Sequence, residues 1–216
     1  MAVSLPNGVT FALGMAVTAE KPITAITNAS PAVASCAAHG FAASSYLIVK
    51  SGWQKLNERI VRVATGSATD SIKLDGIDTT DTNLFPAGGG AGSAASVSSW
   101  IQITQVLNAS TSGGDMQFAN YSFLENDFES QIPTQASPMS IALEVADDPT
   151  MAGYMALKQA SDSRKPYAFM ATFPSGSKIL YYGYVSFNET PTMTKGNVMA
   201  CKATFSLLSK PVRYAS

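Results

Sequence analysis

The sequence predicts a mainly β protein with one helix and with a small all-β unit inserted near its N-terminus. Three observations support this fold class. Short segments that alternate apolar and polar residues recur along the chain, one segment carries a helix start signal, and a glycine-rich stretch divides the strands into two series. Alternation indicates strands with one face against a core. Repeated short strands separated by turn residues are typical of a barrel or sandwich.

The first series of strands forms the predicted inserted unit. After an opening strand at residues 8–17, strands are predicted at 23–27, 33–36, 46–49, 59–63 and 71–74. Residues 86–96 are rich in glycine, alanine and serine, which is the composition of a flexible linker. We therefore predict that residues 20–92 form a small inserted domain and that residues 1–19 and 93–216 form the main domain.

The second series of strands belongs to the main domain. Strands are predicted at 100–107, 118–124, 139–145, 167–173, 179–187 and 195–208. In the last of these, every second residue is predicted to face the core because the set is mostly apolar: Asn197, Met199, Cys201, Ala203, Phe205 and Leu207. Residues 125–138 have no apolar period and contain two prolines and three acids, so we predict a long mobile loop. Loops of this length in compact domains are usually functional or disordered.

One helix is predicted after the strand at 139–145. Asp148 is placed as its N-cap, with Pro149 at the first helical position. Met151, Tyr154 and Met155 have the spacing of one helical face. The helix is expected to end near residues 160–162.

The composition limits the functional classes. The chain has 46% hydrophobic and only 13% charged residues, whereas about 25% charged is usual for soluble domains. Two explanations remain open: a chain that buries much surface against its own copies, or a secreted Ser/Thr-rich β protein. The net charge of −1 carries no nucleic-acid or membrane signature. No apolar run reaches a membrane span and no signal peptide is visible, so we expect a protein made and used without export.

The sequence contains no recognisable catalytic or metal-binding pattern. His39 is the only histidine, and no Gly-x-Ser-x-Gly motif accompanies it. Cys36 and Cys201 do not have zinc-ligand spacing with His39, and we predict that both remain buried thiols. We therefore predict a protein that is not an enzyme, with no catalytic residue, no cofactor and no metal ligand.

Three motifs follow one another in the last third of the chain. The helix start Asp148-Pro149 comes first, the turn Phe173-Pro174-Ser175-Gly176 second, and Gly183-Tyr184-Val185-Ser186 third, before a long final strand. This order resembles the C-terminal half of tail tube proteins from long-tailed, non-contractile phages of the lambda type. The resemblance covers about residues 97–212 and, loosely, residues 8–18.

The resemblance implies a structural virion protein. Each subunit would consist of two packed β-sheets with one flanking helix. Subunits would form hexameric rings that stack head to tail, and four strands from each would build an inner barrel through which DNA leaves the head. The tube would grow in the host cytoplasm from a baseplate initiator around a tape-measure protein, would end at a terminator protein, and would contact no membrane.

A second, local resemblance concerns the inserted unit. Residues 30–33, 38–41, 56–57 and 74–79 resemble a small β-barrel insert found in many phage tail proteins. Residues 42–45 lack the usual glycine-rich turn of that module. The resemblance implies a domain that decorates the outside of the tube, so tube assembly is expected to survive its deletion.

The tube resemblance also assigns roles to two sets of residues. The expected inter-ring loop contains Glu125, Asn126, Asp127, Phe128, Glu129 and Ile132. The expected lumen or interface faces contain Gln102, Thr104, Glu144, Lys202, Thr204 and Ser206. The N-terminal residues and the tail from Ser209 are also expected to order only on a neighbouring ring. A lumen without excess positive charge would let DNA slide. This expectation would be wrong if several of Lys178, Lys195 and Lys202 pointed into the lumen.

Three other functional classes are considered as alternatives. One is a carbohydrate-binding or adhesion β-sandwich that uses Trp53 or Trp100 as a sugar platform. Another is a small hydrolase, which the lack of a catalytic motif disfavours. The third is a different phage tail or capsid decoration protein with the same insert. The order of the C-terminal motifs favours the tail tube.

Overall fold

The computed structural model describes residues 7–215 of the 216-residue chain. The N-terminal residues 1–6, which the sequence predicts to order on a neighbouring ring, lie outside the described residues. The strands are β1 (Thr10–Val17), β2 (Lys21–Ile23), β3 (Ala25–Ile26), β4 (Val33–Ser35), β5 (Tyr46–Ser51), β6 (Arg59–Arg62), β7 (Ser71–Lys73), β8 (Gly92–Ile103), β9 (Val106–Ser112), β10 (Met116–Tyr121), β11 (Ser130–Ala136), β12 (Ser140–Ala146), β13 (Pro166–Thr172), β14 (Lys178–Thr192), β15 (Ala200–Leu207) and β16 (Val212–Tyr214), and the helix α1 is Ala152–Ser163.

Most strands belong to one antiparallel sheet. Its order is β6-β5-β8-β1-β13-β14-β15-β12-β9, with β16 on β14 and β2 on β8. Strands β3, β4 and β7 form a separate sheet, and within residues 7–215 β10 pairs only with β11, in a hairpin. The prediction of a mainly β fold with packed sheets is confirmed.

The large sheet bends into two layers at β14. The first half of this 15-residue strand pairs with β13 and the second half pairs with β15. The halves overlap at Gly183 and Tyr184. A Cβ on Gly183 would lie 2.1 Å from the carbonyl oxygen of Ser206. Only glycine allows this approach, which explains the Gly-Tyr motif. The bend brings Phe169 of β13 against Phe205 of β15, with ring centroids 4.1 Å apart, at the centre of the core.

Helix α1 covers this core, but it begins later than predicted. Its N-cap is Met151, with extended backbone and no side-chain cap. Asp148 instead accepts hydrogen bonds from the backbone N–H and the hydroxyl of Thr150, and these bonds lower the pKa of its carboxyl. The predicted apolar face is wrong for Met155, which is exposed. The helix ends at Ser163, and its buried face consists of Gly153, Tyr154, Ala156, Leu157 and Ala160.

The inserted region has a hydrophobic cluster of its own. Its members run from Ile23 to Ala94 and include Trp53 and Phe85. The prediction of a flexible linker at 86–96 is wrong, because Gly90 is buried against the Trp53 ring and residues from Gly92 onward belong to β8. The glycines here permit close packing around the indole, whose Nε1 donates to the carbonyl of Pro86 at 2.8 Å.

The inserted region and the main sheet are joined by three features. Strand β8 pairs with β5 through its first residues and with β1 through its last. A third hydrophobic cluster contains residues from both regions, among them Ile60 and Leu180. The expectation of a loose tail from Ser209 is also wrong for the described residues, because Ser209 donates to the carbonyl of Glu58 and β16 pairs with β14.

Tyr214 is the main polar link at this junction. Its buried hydroxyl accepts a hydrogen bond from the Arg62 backbone N–H at 2.8 Å and donates to the carbonyl of Asp75 at 3.2 Å. The Arg62 guanidinium also lies 4.3 Å from the centre of its ring. Burial raises the pKa of Tyr214 to about 12.

Replacing Tyr214 by phenylalanine tests this link. The change should lower the free energy of unfolding by about 1–3 kcal/mol, because it leaves the Arg62 N–H and the Asp75 carbonyl without this partner. Urea denaturation followed by circular dichroism measures the loss. The control is Tyr184→Phe on the exposed face of β14, for which the change should stay within about 0.5 kcal/mol. Equal changes in the two variants would contradict the assignment.

Candidate assembly surfaces

Four adjacent strands form a sheet with one apolar and one polar face. Their order is β14-β15-β12-β9, and every neighbouring pair is antiparallel. The apolar face packs on the core through residues such as Leu143 and Phe205. The register places the following residues on the opposite face: Asn108, Ser110, Ser112, Ser140, Ala142, Glu144, Tyr184, Ser186, Asn188, Lys202, Thr204 and Ser206.

The polar face carries little charge. Glu144 and Lys202 are both exposed and are directly opposite one another in the register, and the other members of the face are uncharged. Opposite charges at such cross-strand positions attract each other. Lys178 lies instead 5.7 Å from the Tyr46 ring centre, and Lys195 lies between β14 and β15. Of the three lysines considered from the sequence, only Lys202 therefore lies on this face.

The predicted lumen or interface residues fall into two groups. Glu144, Lys202, Thr204 and Ser206 lie together on the polar face. Gln102 lies instead on β8, opposite Ala12 of β1, and Thr104 follows the end of that strand. Alternation places residues on faces but does not say which strands are neighbours, so the sequence could not separate these groups.

Both edges of this four-stranded sheet are incompletely paired within the described chain. Strand β9 ends the sheet order, and six of its seven residues are exposed. On the other edge, β13 pairs with β14 only as far as Tyr184. Beyond that point α1 lies beside β14, where Ser161 accepts a hydrogen bond from the Phe187 N–H. Lys158 of α1 also donates to Glu189 at 2.7 Å, and this carboxylate raises the lysine pKa.

The hairpin of β10 and β11, here called the arm (residues 116–136), projects from one end of the sheet. At its base the Ser137 N–H donates to the carbonyl of Asp115 at 2.8 Å. The predicted loop is wrong for residues 130–136, which form β11. Both faces of the arm are exposed, so its sequence has no alternation to reveal a strand. Pro133 is tolerated because it lies beside an irregularity in the pairing with β10.

The predicted inter-ring residues all belong to the arm. Glu125, Asn126, Asp127, Phe128 and Glu129 form its tip, and Ile132 lies on β11 opposite Ala119. The arm is also unusually apolar for a projecting hairpin. Among the sixteen large apolar side chains exposed in the described chain, it contains Met116, Phe118, Tyr121, Phe123, Leu124, Phe128 and Ile132. Exposed apolar clusters of this kind mark interaction sites. Sequence reasoning missed Phe123 and Leu124, although their apolar character beside three acids was a visible signal.

The residues considered for chemistry are engaged in structural contacts. His39 is buried; its Nδ1 accepts from the Phe41 N–H and its Nε2 lies 2.8 Å from the carbonyl of Ala68. Both cysteines are buried, and burial raises the pKa of each thiol. Trp53 is buried in the inserted region and offers no platform for a sugar. Residues 7–215 contain no cluster of three potential metal ligands and no helix able to span a membrane.

Comparison with known proteins adds an independent observation. A family model described as "Phage tail tube protein, TTP" matches residues 51–216, which is well over half of the chain. A search of curated proteins found no match. The matched region includes the four-stranded sheet, the arm, α1 and the C-terminal motifs. The chain therefore belongs to the phage tail tube protein family, whose members are structural components of the virion tail that self-assemble into a tube.

Proposed function

We propose that this chain polymerises as stacked hexameric rings into the tail tube of a long-tailed, non-contractile phage and that the tube conducts DNA during ejection. The observation that carries the proposal is the four-stranded sheet with its polar face and incompletely paired edges. Hexameric symmetry, the lambda-like tail type and assembly in the host cytoplasm rest on the sequence resemblance.

The strand directions support closure of this sheet into a barrel. Four successive antiparallel strands leave β9 and β14 running in opposite directions. When copies stand side by side around a ring, β9 of one copy can therefore meet β14 of the next in antiparallel orientation, outside the part of β14 that α1 contacts at Phe187 and Glu189. Closure removes unpaired edges, which otherwise promote aggregation. Six such sheets exceed the 16–18 strands of porins, which already enclose an aqueous channel.

The polar face suits the inside of such a barrel. Its hydroxyl and amide side chains form a hydrated surface, and Glu144 lies opposite its only lysine, Lys202. A surface with many lysines or arginines would hold phosphates by counterion release. We propose that the lumen is lined by Glu144, Lys202, Thr204 and Ser206, so that DNA passes through it without tight binding of its phosphates.

The arm is the proposed contact between stacked rings. It projects from the end of the sheet at Ser112 and Ser140, and its apolar side chains require a partner to leave water. A head-to-tail contact that does not close on itself produces a filament. We therefore assign the inter-ring role to the tip residues 125–129 together with Ile132.

The inserted region, residues 20–92, is proposed to form a small barrel on the outer surface, while residues 1–19 and 93–216 form the tube domain. Its separate hydrophobic cluster supports this division. Because β8 continues from one region into the other, the insert is held in a defined orientation. Tape-measure, baseplate and terminator proteins are the further partners that the resemblance implies.

Electron microscopy of negatively stained, concentrated protein tests the proposal. We expect tubes or stacked rings with a central channel wide enough for a DNA duplex, either spontaneously or after addition of purified phage tail tips as initiators. A protein that remains monomeric under both conditions would overturn the tube proposal. Sugar binding by such a monomer would favour the adhesion alternative.

A further inference from the structure

An open groove lies between β9 and the aromatic residues of β1, β13 and the first half of β14. Its volume is about 520 Å³. The half-buried Phe11, Phe173 and Tyr181 form its aromatic side, and the buried Phe169 packs against Phe11 and Tyr181. Ala109 and Thr111 contribute from the inward face of β9. Grooves of about 300–1,000 Å³ accommodate drug-sized ligands, so this one is large enough for aromatic and aliphatic side chains.

The lining of the groove is uncharged, but a cation lies beside it. No Asp, Glu, Lys or Arg is among its lining residues in the described chain. Arg213 lies 5.2 Å from the ring centre of Phe173, which lines the groove. Burial raises the pKa of the neighbouring Tyr181, and the positive charge of Arg213 opposes this shift. The groove therefore favours an apolar ligand that also carries negative charge.

The arm tip has this chemical character. Phe123, Leu124 and Phe128 are 58%, 109% and 78% exposed. The acids at positions 125, 127 and 129 lie between and beside them. Apolar side chains of the tip fit the aromatic groove, and its carboxylates complement Arg213.

A tip that fills a groove must come from another copy if the arm keeps its projecting orientation. Strand β10 has six residues, which correspond to a length of about 20 Å. The residues of the arm are exposed along both faces, so the arm extends away from its own sheet. Exchange of such an element between identical copies creates contacts that join subunits.

We propose that the arm tip of one copy docks in the aromatic groove beside β9 of another copy. This inference rests on the proposed stacking of copies and specifies the surface that receives the arm. Leu124 and Phe128 enter the groove, and the tip carboxylates lie towards Arg213.

Disulfide trapping between two differently tagged copies tests the contact. One copy carries Leu124→Cys and the other Thr111→Cys; both positions are exposed, and the native Cys36 and Cys201 are buried. We expect a mixed disulfide dimer under mild oxidation of the assembled protein. Ala43→Cys in place of Thr111→Cys is the control, because Ala43 is exposed on the inserted region. Its yield should be at least tenfold lower.

Other outcomes would overturn the docking proposal. Tubes that form with no more cross-linking than the control would place the arm elsewhere and leave the tube proposal intact. A monomeric intrachain disulfide in the Leu124→Cys/Thr111→Cys double variant would show that the arm folds onto its own groove. Absence of both tubes and cross-links in the presence of tail tips would overturn both proposals.

Filling the groove gives a second readout. Ala109→Trp projects an indole from the β9 wall, whereas Ala43→Trp adds the same group on the inserted region. With the Leu124→Cys and Thr111→Cys copies, the first change should reduce trapping at least tenfold and the second should not. Circular dichroism verifies that both variants are folded. Unchanged trapping in a folded Ala109→Trp variant would contradict docking in the groove.

Discussion

Replacing Phe169 by alanine is expected to lower the free energy of unfolding by about 3–5 kcal/mol. The side chain is 1% exposed. Its ring lies 4.1 Å from that of Phe205 and 5.7 Å from those of Phe11 and Tyr181, measured between centroids. The substitution therefore removes the contact that joins β13 to β15 across the bend of the sheet and leaves a cavity at the centre of the core.

The expected loss of unfolding free energy is much larger than the loss that an average substitution causes. Domains are typically stable by about 5–15 kcal/mol, so the variant should lose a large share of its stability. Urea denaturation of the unassembled protein provides the measurement. Phe118→Ala on the exposed arm is the matched control, and its change should stay within about 0.5 kcal/mol. Similar losses for the two phenylalanines would contradict the assignment of Phe169 to the core.

Strands and their buried residues are predicted most accurately from the sequence where one face of the strand is buried and the other is exposed to solvent. In β15 the alternation correctly predicts that Cys201, Ala203 and Phe205 are buried. The prediction is wrong for Met199, which is exposed because it precedes the first residue of β15. The same strand pairs with β12, whose Leu143 and Val145 follow the same rule. Alternation is informative here because the burial of a single face imposes it on the sequence.

The arm and the glycine-rich stretch were mispredicted for two different physical reasons. Strand β11 has solvent on both faces in the isolated chain, so no alternation marks it. Around Gly90, the same composition that suits a flexible linker also suits close packing against an aromatic ring, and Trp53 is distant in the sequence. Local composition cannot distinguish these two uses of glycine.

The assembly surfaces could be predicted only in part. Lys202 and Thr204 are assigned to one face by alternation, but their neighbours on β12 and β14 depend on long-range pairing. The groove beside β9 depends on the bend at Gly183, which brings separate strands into two layers. The sequence contains the glycine, but the position of the second layer follows only from the whole fold.

Removal of the arm is expected to abolish tube formation while leaving the subunit folded. Residues 116–136 can be replaced by Asn-Gly, because Asp115 and Ser137 are already hydrogen bonded at the base of the hairpin. Asn-Gly favours the two-residue turn that closes such a pair. The removed residues are mostly exposed, so the urea midpoint should remain that of the full-length chain. Electron microscopy should then show no tubes at concentrations and with initiators that support tubes of the full-length protein.

Two further variants separate the role of the arm from a general effect of shortening the chain. Leu124→Ser with Phe128→Ser keeps the hairpin but removes apolar surface at its tip, and it should also prevent tube growth. Leu84→Ser removes an exposed leucine of the inserted region and should leave tubes unchanged. Tubes of normal length from the arm-deleted protein would show that ring stacking uses other surfaces. Loss of tubes in the Leu84→Ser variant would instead give the inserted region a part in assembly, because this exposed side chain belongs to that region and lies far from the arm in sequence.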